Sequence, residues 1–355
     1  MTKEIVASET NATIGFLKRR WKRFALVMTL FAIGVFVFLV LNIALGSVNI
    51  PLSDTVKSIF GGHSSQSTFD SIIWQIRLPR AFGALLSGAA LAVAGLLLQV
   101  FFRNPIVDPF ILGVSSGATF MVAIAMLGTY LLGATVVSSL TLSMASFLGA
   151  VLVMLVALAV AVRVRDIITL LVIGLMTGYV VSALSSFLIA FAQSENIHRF
   201  VIWTMGSFSG FRWEHVQWLT IAGIPLMAGS YLMSKQLNAF LLGENYARSM
   251  GVNVKIFRYL IIFLSCILTA IVTAFAGPVA FIGLAVPHLA RLSLGTSDSR
   301  VLIPASILGG AMLTSLCDLL ARMLFAPVEL PVSATTAIFG APMVIFFLIR
   351  RKTTI

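Results

Sequence analysis

The chain has 355 residues, 59% of them hydrophobic and only 10% charged, with a mean hydropathy of +1.05. So few charges exclude a soluble domain and leave a polytopic membrane protein: about 20 apolar residues cross about 30 Å of hydrocarbon, and the length allows roughly ten such helices. The net charge of +12 does not point to nucleic acid, because the basic residues flank apolar runs and form no stripe interleaved with aromatics.

In chain order, residues 1–23 read as a polar, partly disordered cytoplasmic tail carrying Lys18, Arg19, Arg20, Lys22 and Arg23. The predicted spans then fall at about 24–46, 81–101, 112–132, 138–162, 168–191, 214–233, 257–276, 280–294, 302–320 and 333–349. The first is too long for a signal-peptide core and lacks a small-residue cleavage site, so it reads as retained. The eighth is short and holds Gly283 and Pro287, which predicts a broken or tilted span. Everything from 24 to 350 is one membrane domain, with a 234–256 loop on the cytoplasmic side and a cytoplasmic tail at 351–355.

Ten spans put both termini on one side. Arg163 and Arg165, then Lys235, Arg248, Lys255 and Arg258, then Arg291 and Arg300, and finally Arg350 to Lys352 fall on that same side. Fewer basic residues fall opposite, and the positive-inside rule makes the richer side cytoplasmic.

Ala84, Gly88 and Ala92 recur every fourth residue in the second span with Gly95 near the same face, and Gly174 and Gly178 form a GxxxG in the fifth. Small residues let helix backbones approach closely in lipid. Bundle packing accounts for both sets, and lining a pathway is the sharper reading for Gly174 and Gly178. After the second span, Asn104-Pro105-Ile106-Val107-Asp108-Pro109 cannot continue a helix, because each proline fixes an extended turn. This is either a plain inter-helix turn or a constriction beside a pore.

Leu242-Gly243-Glu244-Asn245-Tyr246-Ala247-Arg248-Ser249-Met250-Gly251-Val252 predicts a short amphipathic helix. Glu244 and Arg248 are four apart in the favourable order, and Gly251 is placed to end it. Its apolar residues suit a docked partner more than a membrane surface. Arg77, Arg80 and Arg322 lie at the ends of spans on the face poorer in cations, where they suit binding carboxylates of an acidic partner. Asp318 stands four residues before Arg322, and the blander reading is an internal Asp–Arg pair.

Catalytic residues are not expected. The chain has no GxxxxGK[ST], HExxH or GxSxG. Its four histidines are scattered, so no metal site is expected, and Cys266 and Cys317 read as small core residues. Energy other than an ion gradient must come from another chain.

Taken together, Arg77-Leu78-Pro79-Arg80, Gly88-Ala89-Ala90-Leu91, Gln99 with Asn104-Pro105, and Leu112-Gly113-Val114-Ser115 resemble the permease subunits of ATP-driven importers for ferric siderophores, haem and vitamin B12, the FecCD-like family. Gly277 to Leu284, Val286-Pro287-His288, Glu329-Leu330-Pro331 and Gly340-Ala341-Pro342 extend the resemblance to about residue 350. It implies ten helices per subunit and a pathway between this chain and a second permease, identical or paralogous. It implies a cytoplasmic ABC ATPase dimer that carries ATP and magnesium, since this chain binds no cofactor itself. It also implies an extracytoplasmic substrate-binding protein and residence in the bacterial cytoplasmic (inner) membrane, in contact with the lipid bilayer.

By the same resemblance, Arg77, Arg80 and Arg322 dock the binding protein, and Leu242, Gly243, Glu244, Ala247, Arg248, Met250, Gly251 and Val252 meet the ATPase. The inner gate takes in Asn104, Pro105 and Ile106, with Asp166 and Ile167 before the fifth span. The sequence departs there: Arg165-Asp166-Ile167-Ile168 replaces the small hydroxyl residues of the family's cobalamin permease. The implied cargo is a large metal chelate, with ferric siderophore or haem ahead of cobalamin. The alternative is an ion-coupled secondary carrier, which would want acids or broken helices at mid-membrane depth.

Overall fold

A helix overlaps each predicted span in a computed structural model that describes residues 2–62, 66–131, 138–164 and 166–351. These helices are α1 (Thr2–Ala44), α2 (Leu78–Phe101), α3 (Val114–Leu131), α4 (Ser139–Arg163), α5 (Ile167–Ala190), α6 (Trp213–Leu232), α7 (Val254–Ala276), α8 (Ile282–Leu294), α9 (Ser299–Met323) and α10 (Val332–Arg351). No strand occurs among the described residues. Six of the helices are long and apolar enough to cross a membrane, or seven if α6 is joined to Ser234–Leu241, which bends from it by 52°.

One expectation needs correction. The segment expected to be a partly disordered tail is helical from Thr2 onward, as an extension of α1. No proline interrupts it, and adding residues to an existing helix costs little once the nucleus is formed. The eighth segment is a 13-residue helix with Pro287 inside it, only about 20 Å long at 1.5 Å per residue. The irregular stretch from Gly277 to Phe281 precedes it, and both of those residues have positive φ. The residues of the 351–355 tail beyond Arg351 lie outside the described residues.

Helix starts follow capping chemistry. Asp166 accepts from the Thr169 N–H at 2.8 Å, Ser138 from the Thr141 N–H at 3.1 Å, and Asp298 from the Arg300 N–H at 3.0 Å. Each satisfies a donor that a helix N-terminus would otherwise leave open.

Helix α2 is the core. Its most apolar window is 89% buried, against 11% for α5. Lipid tails are as apolar as leucine, so close packing has to drive association between membrane helices. Glycine supplies it here. A Cβ on Gly88 would overlap the Gly310 carbonyl of α9, and one on Gly95 would overlap the Gly283 carbonyl of α8. A Cβ on Gly117 of α3 would overlap the Gly149 carbonyl of α4 in the same way.

Candidate functional site

The helix ends gather their polar groups at two poles. At the first, three arginines come together, but all are buried, at 3–5% exposure, and each has partners inside the chain. Arg77 donates to the carbonyls of Ile43 (2.8 Å), Ala44 (2.7 Å) and Val48 (2.5 Å), which closes the C-terminus of α1. A cation at the carbonyl end of a helix also complements its dipole. Arg322 donates to the Asn42 carbonyl at 3.0 Å and to its side-chain oxygen at 3.2 Å.

Arg80 grips both oxygens of Asp318 through Nε, at 3.1 Å each, and its Nη2 lies 2.9 Å from Oδ1. Its Nη1 reaches Glu329 at 2.8 Å. Asp318 is fully buried, whereas the Glu329 side chain is 38% exposed. The internal Asp–Arg pair predicted for Asp318 therefore exists, with Arg80 in place of Arg322 as its hydrogen-bonded partner. One turn of helix puts Asp318 beside Arg322 in sequence, but packing turns Asp318 toward α2.

The second pole holds the predicted loop. A six-residue helix, Glu244–Ser249, follows Gly243. Gly243 has φ +119° and Gly251 φ +83°, a region that costs glycine nothing and other residues a strain. The helix ends in a Schellman arrangement, with Val252 N–H bonded to the Ala247 carbonyl and Gly251 N–H to the Arg248 carbonyl, both at 3.0 Å. Arg248 donates to Glu244 at 2.8 Å, as the spacing predicted. Ala247 is fully buried and anchors the helix, while Leu242 and Met250 are 68% and 64% exposed.

The proline turn lies at this same pole. Ile106 N–H donates to the Asn104 side chain at 3.0 Å, and Ile106 is half-exposed. Pro105 is partly covered. Beyond the turn, a short 3-10 segment, Pro109–Leu112, packs on α5.

Gly174 and Gly178 face this packing: a Cβ on Gly174 would touch Leu112 at 3.0 Å, and one on Gly178 would touch Gly113 at 3.3 Å. The small face of α5 is thus turned into its own bundle. Its other face leaves Ile168, Met176, Tyr179, Val180 and Phe187 exposed at 48–70%. Asp166 is exposed and Ile167 half-buried where α5 begins. The Thr169 N–H and hydroxyl hold the Asp166 carboxyl below its usual range. Arg165 lies outside the described residues.

Three polar residues with structural work at the second pole had no role assigned from sequence. Gln99 of α2 donates to the carbonyls of Gly283 and Leu284 at 3.2 Å and of Val107 at 3.4 Å, and accepts from Arg291 at 2.7 Å. It ties the proline turn to both ends of α8. Arg258 of α7 donates to Glu244 at 2.7 Å and to the Val164 carbonyl at 3.2 Å. A lone glutamine near the end of an apolar run was the visible signal for Gln99. Arg258 and Arg291 read only as topology charges.

No group of three or more potential metal ligands occurs among the described residues. The arrangement gathers two separate groups of polar side chains at opposite ends of a helical bundle.

Comparison with known proteins adds four findings. The profile described as the FecCD transport family matches residues 9–350. The vitamin B12 import system permease protein BtuC of Klebsiella pneumoniae subsp. pneumoniae is 37% identical over 280 residues, covering 79% of this chain and 83% of the relative. The protein of the same name from Salmonella typhi is 37% identical over 278 residues, covering 78% and 83%. A solved structure assigned to the metal-chelate type of ABC transporter, in an inward-facing conformation, has a TM-score of 0.80 at 29% identity and covers 91% of this chain and 99% of its own.

Proposed function

Since the chain belongs to the FecCD transport family, we propose that it is the permease subunit of an ATP-driven importer that carries a large metal chelate into the cytoplasm by alternating access. The arginine pole faces outward and the pole with Glu244–Ser249 faces the cytoplasm, with both termini inside and ten crossings of the bacterial inner membrane. Two ATPase subunits dock at the cytoplasmic pole. A second permease, identical or paralogous, lies along the exposed face of α5, and the pathway runs between the two.

The observation that carries this reading is the short helix Glu244–Ser249. It is held rigidly by two positive-φ glycines and a buried Ala247. It also presents Leu242, Tyr246 and Met250 to the outside. Exposed apolar side chains on a fixed, glycine-bounded helix favour a protein partner, and the chain lacks a phosphate loop of its own. ATP closure of the partner would push this helix and shift the spans behind it as a body. The partner delivers the energy, and this chain has no catalytic step.

A binding protein docks at the outer pole. Arg77 and Arg322 hold its shape through carbonyls, so the direct contact falls to Arg80, whose Glu329 side is reachable from outside. A carboxylate of the incoming protein would displace Glu329 from Arg80. Cobalamin joins ferric siderophores and haem as a candidate cargo on the strength of the 37% identical relatives. The Arg165-Asp166-Ile167-Ile168 segment argues the other way.

An ion-coupled carrier is disfavoured by Asp318. Both its oxygens are occupied by Arg80, so it offers no ready proton site. The deciding experiment reconstitutes the chain with its ATPase and binding protein in proteoliposomes and measures uptake of labelled siderophores, haem and cobalamin. ATP-dependent uptake of one of these is expected. Uptake driven by an ion gradient without ATP would overturn the reading.

A further inference from the structure

Glu244 opens the ATPase-facing helix and is shared between two arginines. Its Oε1 accepts from Arg248 of its own helix at 2.8 Å, and its Oε2 accepts from Arg258 of α7 at 2.7 Å. The other arm of Arg258 donates to the Val164 carbonyl at 3.2 Å. Val164 is the residue at which α4 ends, with ψ turned to 122°, and α5 begins three residues later behind its Asp166 cap. One guanidinium therefore touches the ATPase-facing helix and the turn that leads into the pathway-facing helix α5.

The local physics makes this a stiff joint. Arg258 is buried, at 8% exposure. A buried charge has to keep its partners, since losing one leaves it uncompensated. The guanidinium is planar, with donors in fixed directions, so displacement of Glu244 pulls on Val164. Phe240 stacks between Phe101, at 5.8 Å, and Phe257, at 4.9 Å. That aromatic column ties α2 to the same first turn of α7 and leaves Arg258 little freedom to follow one partner without the other.

We propose that Arg258 is a positioning residue for transport: it holds the ATPase-facing helix and the α4–α5 turn together, so that motion of the ATPases opens and shuts the α5 side of the pathway. The idea rests on the coupling reading of Glu244–Ser249 given above. Lysine carries the same charge but presents a single ammonium, which cannot span Glu244 and Val164 in the fork geometry.

The test uses the full transporter in proteoliposomes and reads cargo transported per ATP hydrolysed. With Arg258→Lys, the ratio should fall about 2- to 30-fold, the range in which residues of a coupling network act, while the ATPases remain attached. Glu244→Gln should lower it too, and the two together should cost less than the sum of the singles, because both break one contact. A merely structural arginine would lower the thermal midpoint and scale transport and hydrolysis alike. An unchanged ratio therefore overturns the proposal.

A cysteine at Met250 separates this from failure of the underlying reading. If Met250→Cys cross-links to the ATPase in both the parent and the Arg258→Lys transporter while the ratio stays unchanged, the relay alone is wrong. If no cross-link forms in the parent, the coupling reading fails and takes the relay with it.

Discussion

The two poles solve the same electrostatic problem in opposite ways. At the arginine pole, Arg77, Arg80 and Arg322 are each 3–5% exposed and bonded to carbonyls or to Asp318, although the Nε of Arg322 is left without a partner among the described residues. At the other pole, Arg248 has a side chain 63% exposed, and Glu244, at 24%, divides its two oxygens between neighbours. One pole stores its charges inside a closed lattice of bonds. The other keeps Arg258 buried behind Glu244 but leaves Arg248 on a short, exposed element with open apolar flanks. A buried charge resists movement because breaking its contacts costs several kcal/mol, whereas exposed pairs are worth about 1 kcal/mol or less. The contrast assigns stability to the first pole and exchange of partners to the outward-facing side chains of the second, with Arg258 as the fixed joint behind them.

The largest expected effect lies at the first pole. Asp318→Ala strips the bidentate partner from buried Arg80 and should cost about 3–5 kcal/mol, read as a lowered thermal midpoint of the purified chain in detergent. An unchanged midpoint would break the contrast outright. Next comes Gly95→Val in the core between the poles, where the new side chain meets the Gly283 backbone. Overpacking of this kind costs about 1–3 kcal/mol, and chemical denaturation of the same preparation measures it.

At the second pole the expected pattern inverts. Leu242→Glu combined with Met250→Glu should leave the chain's own stability within about 0.5 kcal/mol, as exposed substitutions do. The ATPase should nevertheless fail to co-purify. Retained ATPase would show that these side chains do not form the docking face. The smallest effect is Arg248→Ala, which removes one i,i+4 pair and should cost about 0.3–0.5 kcal/mol. A loss several times larger would mean that this pole is as tightly bonded as the first.

Much of this was legible in the sequence. A predicted span at 81–101 became Leu78–Phe101, and one at 168–191 became Ile167–Ala190, because hydropathy and polar boundary residues set span limits directly. The loop helix was legible as well, through Glu244, Arg248 and Gly251. Partner choice was not. Arg77 and Arg80 lie three residues apart and look alike in sequence, yet one takes backbone carbonyls from α1 and the other takes carboxylates near the end of α9. That outcome depends on which helices pack on α2, which periodicity within one segment does not encode. Arg258 escaped for the same reason: its partners Glu244 and Val164 are 14 and 94 residues away. The small faces were recognised, but the direction of Gly174 and Gly178, into the bundle, followed from the placement of Leu112 and Gly113.

The glycine contacts of α2 carry a consequence for how such a chain drifts over generations. Any replacement at Gly88, Gly95, Gly283 or Gly310 adds at least a Cβ, and at each of these four that carbon would overlap atoms of a neighbouring helix or of the Pro109 ring. At Gly88, Gly95 and Gly310 the nearest obstacle is a backbone carbonyl, and no substitution on the facing helix can make a carbonyl smaller. The usual route of neutral divergence, a large residue here offset by a small one there, is therefore closed along this seam. Exposed apolar positions of α1 such as Leu26, Leu30 and Phe36 meet no such obstacle and remain free to vary among apolar residues.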